Sequence, residues 1–215
     1  MNKSFDCQRL KLSYHRKEMN EKRVGLLGGS FDPIHKGHIA IAKSFIASGY
    51  IDELWILVNP SPPHKTDLDA SYEHRKKMVE LAYRDIDGVH ISLIEEELPM
   101  PNYTINTIKH ILNTYALEKL YFCLGMDSLE SFHTWKSYDE ILSFVDLLVA
   151  ERDQEFSIPN YLKGKVTLVK HSVIDVSSTK VRKALLGGEP VTSLLDHTTI
   201  HYINHHHLYQ RNGLK

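Results

Sequence analysis

The sequence has few cysteines and no long apolar run, and each of these shortages excludes a class of protein. Its 215 residues include only two cysteines, Cys7 and Cys123, which supply neither a disulfide framework nor the spacing of a metal site. The longest apolar runs, such as 54–58, are far below the ~20 residues needed to span a bilayer. We therefore expect two reduced thiols and no membrane segment.

An excess of charge of either sign is also lacking. Lys and Arg number 26 against 27 Asp and Glu, which gives a formal net charge of −1. A balanced chain has no global field to attract nucleic acid or an anionic membrane, so any anion site must be local. We predict that the chain binds neither, and the sequence carries no signal for an oligomeric state.

Residues 1–22 differ from the rest of the chain. They have no clear helical or strand period and no apolar core of a signal peptide, and Asp6, Glu18 and Glu21 fit poorly with a transit peptide. We expect a disordered leader over 1–22, with Met19 as an alternative start, and one domain over 23–215. The same features predict a cytoplasmic protein.

From Val24 onward, apolar strand-like runs alternate with helix-periodic runs, which is typical of a parallel sheet covered by helices. Each predicted strand is apolar nearly throughout, as strands buried on both faces are. The predicted strands are 24–28, 53–59, 89–94, 119–125, 145–151 and 165–170. The predicted helices are 39–48, 71–84, 104–115, 177–188 and a stretch around 198–209. The order predicts a single α/β domain.

The segment GGSFDPIHKGH, from Gly28 to His38, follows the first predicted strand and ends where a helix is expected to begin. Gly28 and Gly29 allow the main chain to approach a ligand closely. The helix that follows presents free N–H groups and the positive end of its dipole, which together attract anions. Because His35 and His38 can add donors to the same anion, we predict that they hold phosphate oxygens.

Other interpretations of these two histidines are ordinary core or surface residues, or zinc ligands. Zinc would need a third ligand, which no nearby spacing supplies. The segment is neither G-x-G-x-x-G nor a Walker loop, so neither classical dinucleotide binding nor P-loop hydrolysis fits it.

A second helix N-terminus is predicted at VSSTKVR, residues 176–182. Ser177, Ser178 and Thr179 supply hydroxyl donors there, and Arg182 follows closely. Taken alone, a serine-rich cap before basic residues is more often a capped surface helix. Together with the first segment it provides two phosphate-directed helix ends, which suit a triphosphate.

These two segments resemble a known family. GSFDPIHKGH is similar to the H-x-G-H motif of the nucleotidyltransferase superfamily, and its Phe-Asp-Pro element resembles the nicotinate and nicotinamide mononucleotide adenylyltransferases. Further segments resemble the bacterial nicotinate mononucleotide branch: VSSTKVR, PSPPHK at 60–65, PNYTINTI at 101–108, LGMDSLESFHTWKSY at 124–138 and YINHHHLY at 202–209. One departure is AERD at 150–153, where Glu151 and Asp153 replace a basic residue and a proline beside Arg152.

The resemblance implies a Rossmann-like, doubly wound parallel sheet and a reaction. The reaction joins ATP to nicotinate mononucleotide by direct in-line displacement, giving nicotinate adenine dinucleotide and pyrophosphate in NAD biosynthesis. Mg²⁺ is expected as the cofactor, bound through the ATP phosphates, because the sequence offers no all-protein cage for it.

The resemblance also implies roles for individual residues. His35 and His38 would be catalytic at the α-phosphate, with Ser178, Thr179 and Arg182 on the leaving phosphates. ATP would be bound by Gly28, Gly29, Ser30, Phe31, Gly37, Gly125, Asp127, Arg152, Ser177, Ser178, Thr179 and Arg182. Nicotinate mononucleotide would be bound by Lys65, Thr104, Trp135 and Lys136. Trp135 would stack on the pyridine ring, and the main-chain N–H groups of Thr104 and Lys136 would donate to its carboxylate.

Three alternatives remain open. Nicotinamide mononucleotide or pantetheine phosphate could be the acceptor, although the motifs of Thr104 and Trp135 argue against the latter. An aminoacyl-tRNA synthetase would need an appended tRNA-binding domain, for which this chain is too short. A nucleotide-sensing module without catalysis is disfavoured because both histidines and the Ser-Ser-Thr cap are intact.

Overall fold

A six-stranded sheet organises the chain in the computed structural model, which describes residues 22–63, 68–151 and 158–210. The strands are β1 Arg23–Gly29, β2 Glu53–Val58, β3 Val89–Ser92, β4 Lys119–Gly125, β5 Asp146–Ala150 and β6 Val166–Val169. The helices are α1 Lys36–Ala47, α2 Tyr72–Tyr83, α3 Thr104–Thr114, α4 Met126–Glu130, α5 Tyr138–Phe144, α6 Ser178–Gly187 and α7 His197–His205. Within these described ranges, every helix is too short or too polar to cross a bilayer.

The sheet is parallel at every pairing, in the order β3-β2-β1-β4-β5-β6. The chain builds outward from β1 to β3, then crosses back to β4 and builds outward in the other direction. β1 and β4 therefore flank the topological switch point, beside which ligands bind in such sheets. The crevice is bordered by the ends of β1, at Gly29, and β4, at Gly125. The predicted doubly wound sheet is confirmed.

Hydrophobic clusters cover both faces of the sheet. On one face α1, α2, α6 and α7 pack through buried residues that include Phe45, Met78 and Val181. On the other face α3, α4 and α5 pack through buried residues that include Ile108 and Ile141. Because both faces are covered, the central strands can be apolar nearly throughout, as the sequence predicts.

The outer strands and several helix ends differ from the sequence-based expectation. The edge strands β3 and β6 are only partly buried, because each has a neighbour on one side alone. β3 ends at Ser92, two residues before the predicted end, and Ile94 begins a short 3-10 turn instead. Helix α1 begins at Lys36, three residues before the predicted start. Helices α4 and α5 were not predicted, since their five and seven residues are too few to show a clear period.

Cys123 lies in β4 at the centre of the sheet and is a free, buried thiol. Burial raises its pKa, so the thiol stays protonated and unreactive. It also packs tightly on β1, because a Cβ added at Gly25 would lie 2.8 Å from its sulfur. The expectation of a reduced cysteine is met at this position, while Cys7 lies outside the described residues.

Candidate active site

The loop between β1 and α1 has an unusual main-chain conformation at Phe31. This buried residue adopts φ +48°, a left-handed conformation that non-glycine residues rarely take. Its ring lies so close to Gly29 that a Cβ there would be 2.9 Å from it. Strain of this kind persists only where the surrounding structure determines the conformation, and such residues cluster at functional sites.

Hydrogen bonds to three carbonyl groups hold this loop in place. Each bond comes from a helix on the same face of the sheet, α2 or α6. The bonds run from Arg75 Nη1 to the Ser30 oxygen (2.6 Å), from Arg182 Nη1 to the Asp32 oxygen (2.7 Å) and from Ser178 Oγ to the Pro33 oxygen (2.9 Å). The phosphate-directed segments predicted at 28–38 and 176–182 are therefore in direct contact.

His35 and His38 stand together at the start of α1, with ring centroids 3.7 Å apart and planes inclined by 22°. His35 is the N-cap residue and is buried, and burial lowers its pKa to about 4. His35 is therefore neutral near pH 7. Its Nδ1 is buried without a hydrogen-bond partner among the described residues. The edge of the Phe31 ring packs on His38 at a centroid distance of 4.9 Å.

Gly37 allows the second phosphate-directed segment to approach the first. A Cβ at this position would lie 2.9 Å from Val176 Cγ1 and 3.1 Å from the His35 ring. Val176 immediately precedes the N-cap of α6, so the absent side chain leaves room for the two helix N-termini to converge. Helix N-termini that converge in this way attract anions through their free N–H groups and positive dipole ends.

At the N-terminus of α6 the predicted hydroxyl donors are engaged unequally. Ser177 is the N-cap residue, and its Oγ accepts from the Lys180 N–H at 3.2 Å. The Ser178 hydroxyl donates to Pro33. Thr179 is exposed in the first turn. A helix N-terminus leaves its first main-chain N–H groups without intrahelical partners. These N–H groups and the Thr179 hydroxyl are therefore the donors that can bind a ligand.

Arg182 is committed to the loop rather than extended toward solvent. Besides its bond to the Asp32 carbonyl, its Nε pairs with Asp69 Oδ2 at 2.7 Å. The guanidinium has five N–H donors, so these contacts leave further donors for an anion. Arg182 therefore has a structural role in addition to its predicted role at the phosphates.

On the other side of the crevice, Gly125 ends β4 and is the N-cap residue of α4. A Cβ there would touch only Ile41, at 3.9 Å, so the space beside the strand end is open. Asp127 is exposed in the first turn of α4. Both residues lie at the switch point, and both are among the residues that the family resemblance assigns to ATP.

Trp135 and Lys136 face the beginning of α3. The half-buried Trp135 ring packs against Phe122 and Phe132, with centroids 5.7 and 5.4 Å apart. The Lys136 ammonium lies 4.0 Å from the centroid of the Tyr103 ring, immediately before Thr104. Within the described ranges, the main-chain N–H groups of Thr104 and Lys136 form no hydrogen bond. Neither predicted carboxylate donor therefore has a hydrogen-bond partner within these ranges.

A buried polar cluster supports this end of α3. Glu95 Oε1 accepts from the Thr107 hydroxyl at 2.8 Å, and Asn102 Nδ2 donates to the Glu95 carbonyl at 2.9 Å. Burial raises the pKa of Glu95, which favours its neutral form. The cluster joins the turn before α3 to the first turn of the helix, on either side of Thr104.

Two predicted site residues, Lys65 and Arg152, lie outside the described residues, as do residues 1–21 of the predicted leader 1–22. Three residues that organise the loop had no role in the sequence analysis: Asp32, Arg75 and Tyr209. Asp32 and Tyr209 lie within the motifs quoted above, and nothing else in the sequence indicates a role for them. Arg75 had none, because it is one of several basic residues in α2 and only the fold buries it.

Comparisons with known proteins cover the same region of the chain. The family model described as cytidylyltransferase-like matches residues 26–184. A Bacillus pumilus protein named probable nicotinate-nucleotide adenylyltransferase is 33% identical over 190 residues, which cover 88% of this chain and 99% of the relative. A protein of the same name from Christiangramia forsetii is 34% identical over 197 residues, which cover 89% of this chain and 100% of the relative.

Solved structures share the fold. Plasmodium falciparum nicotinic acid mononucleotide adenylyltransferase complexed with NaAD matches with a TM-score of 0.74 at 22% identity, covering 87% of this chain and 97% of that chain. The same Plasmodium enzyme complexed with APC matches with a TM-score of 0.71 at 21% identity and the same coverage. At these identities the likeness establishes the architecture, and it agrees with the order of strands described above.

Proposed function

The chain belongs to the cytidylyltransferase-like family and, within it, to the nicotinate-nucleotide adenylyltransferases, and from this we propose that it transfers the adenylyl group of ATP to nicotinate mononucleotide. The observation that carries the proposal is the convergence of the α1 and α6 N-termini around His35 and His38, opposite the Trp135 segment. One side suits a triphosphate and the other an aromatic carboxylate. The products are nicotinate adenine dinucleotide and pyrophosphate.

The reaction is an in-line displacement at phosphorus. A phosphate oxygen of nicotinate mononucleotide forms a bond to the α-phosphorus of ATP, and the bond from that phosphorus to the oxygen bridging the α- and β-phosphates breaks. The electron pair leaves with pyrophosphate. Because the attacking oxygen is already anionic, the protein has to position the reactants and stabilise charge rather than remove a proton.

The two histidines are suited to stabilising that charge. Each imidazole can donate an N–H, and the α1 dipole acts in the same direction. The N-terminus of α6 would bind the β- and γ-phosphates through its main-chain N–H groups, the Thr179 hydroxyl and the remaining Arg182 donors. The open space beside Gly125 and the carboxylate of Asp127 would receive the ribose.

The acceptor side would distinguish an acid from an amide. A carboxylate only accepts hydrogen bonds, so the N–H groups of Thr104 and Lys136 can satisfy both of its oxygens. A carboxamide presents an NH₂ group, which would place a donor against a donor and leave buried groups unpaired. Trp135 would stack on the pyridine ring.

Mg²⁺ is proposed as the cofactor, held through the ATP phosphates. Within the described ranges, no group of three or more His, Cys, Asp or Glu could hold a metal ion. The acids beside the α6 end are already engaged, Asp32 by main-chain N–H groups, Asp69 by Arg182 and Asp175 by Lys180. The fit is therefore to an ion coordinated by phosphate oxygens and water, where it would neutralise charge on the leaving pyrophosphate.

Lys65 and Arg152 are proposed to add positive charge near the phosphates. Charge removal at Lys65 should weaken binding of nicotinate mononucleotide.

The chain is proposed to work in the cytoplasm. Fractionation of the source cells would check the location.

The proposed activity is tested by incubating the purified chain with ATP, Mg²⁺ and nicotinate mononucleotide. One pyrophosphate should appear for each dinucleotide formed, and neither product should appear without the mononucleotide. Pantetheine phosphate in its place should give no pyrophosphate. Release of pyrophosphate from ATP alone, or with pantetheine phosphate only, would contradict the proposal.

A further inference from the structure

The carboxylate of Asp32, in the loop before His35, is buried and holds two other parts of the chain. Asp32 is only 3% exposed. Its Oδ2 accepts from the Asp69 N–H at 2.9 Å, and its Oδ1 accepts from the Ala70 N–H at 3.1 Å. The same Oδ1 accepts from the Tyr209 hydroxyl at 2.7 Å. A single side chain thus connects the phosphate-directed loop to residues 69–70 and to the segment after α7.

Tyr209 donates to this carboxylate from a buried position and an unusual main-chain conformation. It is 8% exposed and adopts φ +58°, a conformation that costs energy for a non-glycine residue. Burial and the neighbouring Asp32 raise the pKa of its phenol, so the hydroxyl keeps its proton and donates. A hydrogen bond to a buried carboxylate is stronger than one between neutral groups. A main-chain conformation of this kind persists only where the surrounding contacts determine it.

We propose that Tyr209 is a positioning residue for adenylyl transfer: by donating to Asp32, it fixes the loop that places His35 and His38 at the α-phosphate. Asp32 is three residues before His35, and its carbonyl and that of Pro33 are bound to α6. Rotation of the Asp32 side chain would therefore disturb both phosphate-directed helix ends at once. The inference rests on the proposed function and adds a residue more than 170 positions away from the loop.

The effect should appear in turnover more than in acceptor binding. A displacement of about 1 Å at a group that acts in the transition state can cost on the order of 10²-fold in rate. The pyridine site is built from α3 and Trp135 on the opposite face of the sheet, away from Tyr209. A hydroxyl that only stabilised the fold would lower the melting temperature and leave the kcat of the folded protein unchanged.

The test is Tyr209→Phe in the full chain, which removes one oxygen atom. We expect kcat to fall at least ~10-fold, while KM for nicotinate mononucleotide stays within about twofold. The matched control is Tyr202→Phe, because the Tyr202 hydroxyl bonds to His74 Nδ1 at 3.0 Å on the same C-terminal segment and does not reach the loop. The control should retain the wild-type kcat.

Asp32→Asn is the second variant, and it tests the inference if Tyr209→Phe does not fold. It keeps the shape of the side chain but sets an NH₂ group against one of its donors, so kcat should fall as in Tyr209→Phe. When both variants fold, the double variant should lose no more than the worse single one. A kcat equal to wild type in the folded Tyr209→Phe protein, or in Asp32→Asn, would overturn the inference. A wild-type chain without transferase activity would instead contradict the proposed function.

Discussion

The main-chain N–H of His35 donates to Nδ1 of His38 over 3.3 Å, while the two imidazole rings stack. An accepting Nδ1 carries no hydrogen, so the proton of neutral His38 is on Nε2. Protonation of Nδ1 would set a hydrogen against the His35 N–H and break the bond. The contact therefore favours the His38 tautomer that carries its hydrogen on Nε2, from which it can donate to an oxyanion.

Removal of the His38 ring should affect the chemical step. In His38→Ala we expect kcat to fall by ~10² or more, with a much smaller change in the dissociation constant for ATP, because the donor acts on charge that develops in the transition state. His201→Ala is the control, since that histidine is exposed on α7. Turnover near the wild-type value in His38→Ala would refute the assignment.

The buried state of His35 predicts a dependence of stability on pH. Burial lowers its pKa from 6.5 to about 4, so between these values the unfolded chain binds more protons than the folded chain. The free energy of unfolding contributed by this group therefore decreases as pH falls through that window. When the pH falls from 7 to 5, the free energy of unfolding should decrease by about 1–2 kcal/mol less in His35→Gln than in wild type. Urea unfolding at both pH values measures this, and identical losses in the two proteins would count against a buried neutral His35.

A methyl group at Gly37 should separate the two phosphate-directed helix ends. Gly37→Ala would bring a Cβ within 2.9 Å of Val176 and 3.1 Å of the His35 ring, so one of them must move. We expect kcat/KM for ATP to fall at least ~10-fold. Gly187→Ala is the control, because a Cβ there meets only the flexible Glu189 side chain, at 3.6 Å or more. Wild-type kinetics in Gly37→Ala would show that this close approach is not needed.

The order and type of the main elements could be predicted because the strands are apolar runs bounded by clear helix periods. β4, from Lys119 to Gly125, has the predicted bounds, and the other strands differ by a few residues at their ends. Helix α5 could not be predicted, because its seven residues follow Ser137 in a left-handed conformation that no sequence period reveals. Helix α1 begins earlier than predicted because His35 acts as its N-cap residue, a position where serine, threonine or aspartate is expected.

The site was predictable where motifs carry it and not where the fold alone creates it. His35, Gly37 and Trp135 stand in segments whose residues resemble a known family. The bonds of Arg75 and Tyr209 join the loop to residues far along the chain, and no local spacing encodes such contacts. The commitment of the Ser178 hydroxyl to Pro33 could not be foreseen for the same reason, since it depends on how α6 packs against the loop.

Trp135 should contribute to binding of either mononucleotide. Trp135→Ala removes the predicted stack, so KM should rise on the order of 10-fold for both nicotinate and nicotinamide mononucleotide. The ratio between the two acceptors should change little, because main-chain groups make that distinction. If the variant loses its cooperative unfolding transition instead, Trp135 is an ordinary core residue, and its contacts with Phe122 and Phe132 explain the loss.

The choice of acceptor tests the account most directly, because it depends on the family, the fold and the Thr104 and Lys136 main-chain N–H groups together. The measurement is kcat/KM for nicotinate and for nicotinamide mononucleotide, side by side on the intact chain with ATP and Mg²⁺. Sites built on hydrogen bonds can reject a mismatched analogue by several orders of magnitude, so we predict a preference of at least ~10² for nicotinate mononucleotide. Equal values for the two mononucleotides would contradict the proposed role of the Thr104 and Lys136 N–H groups.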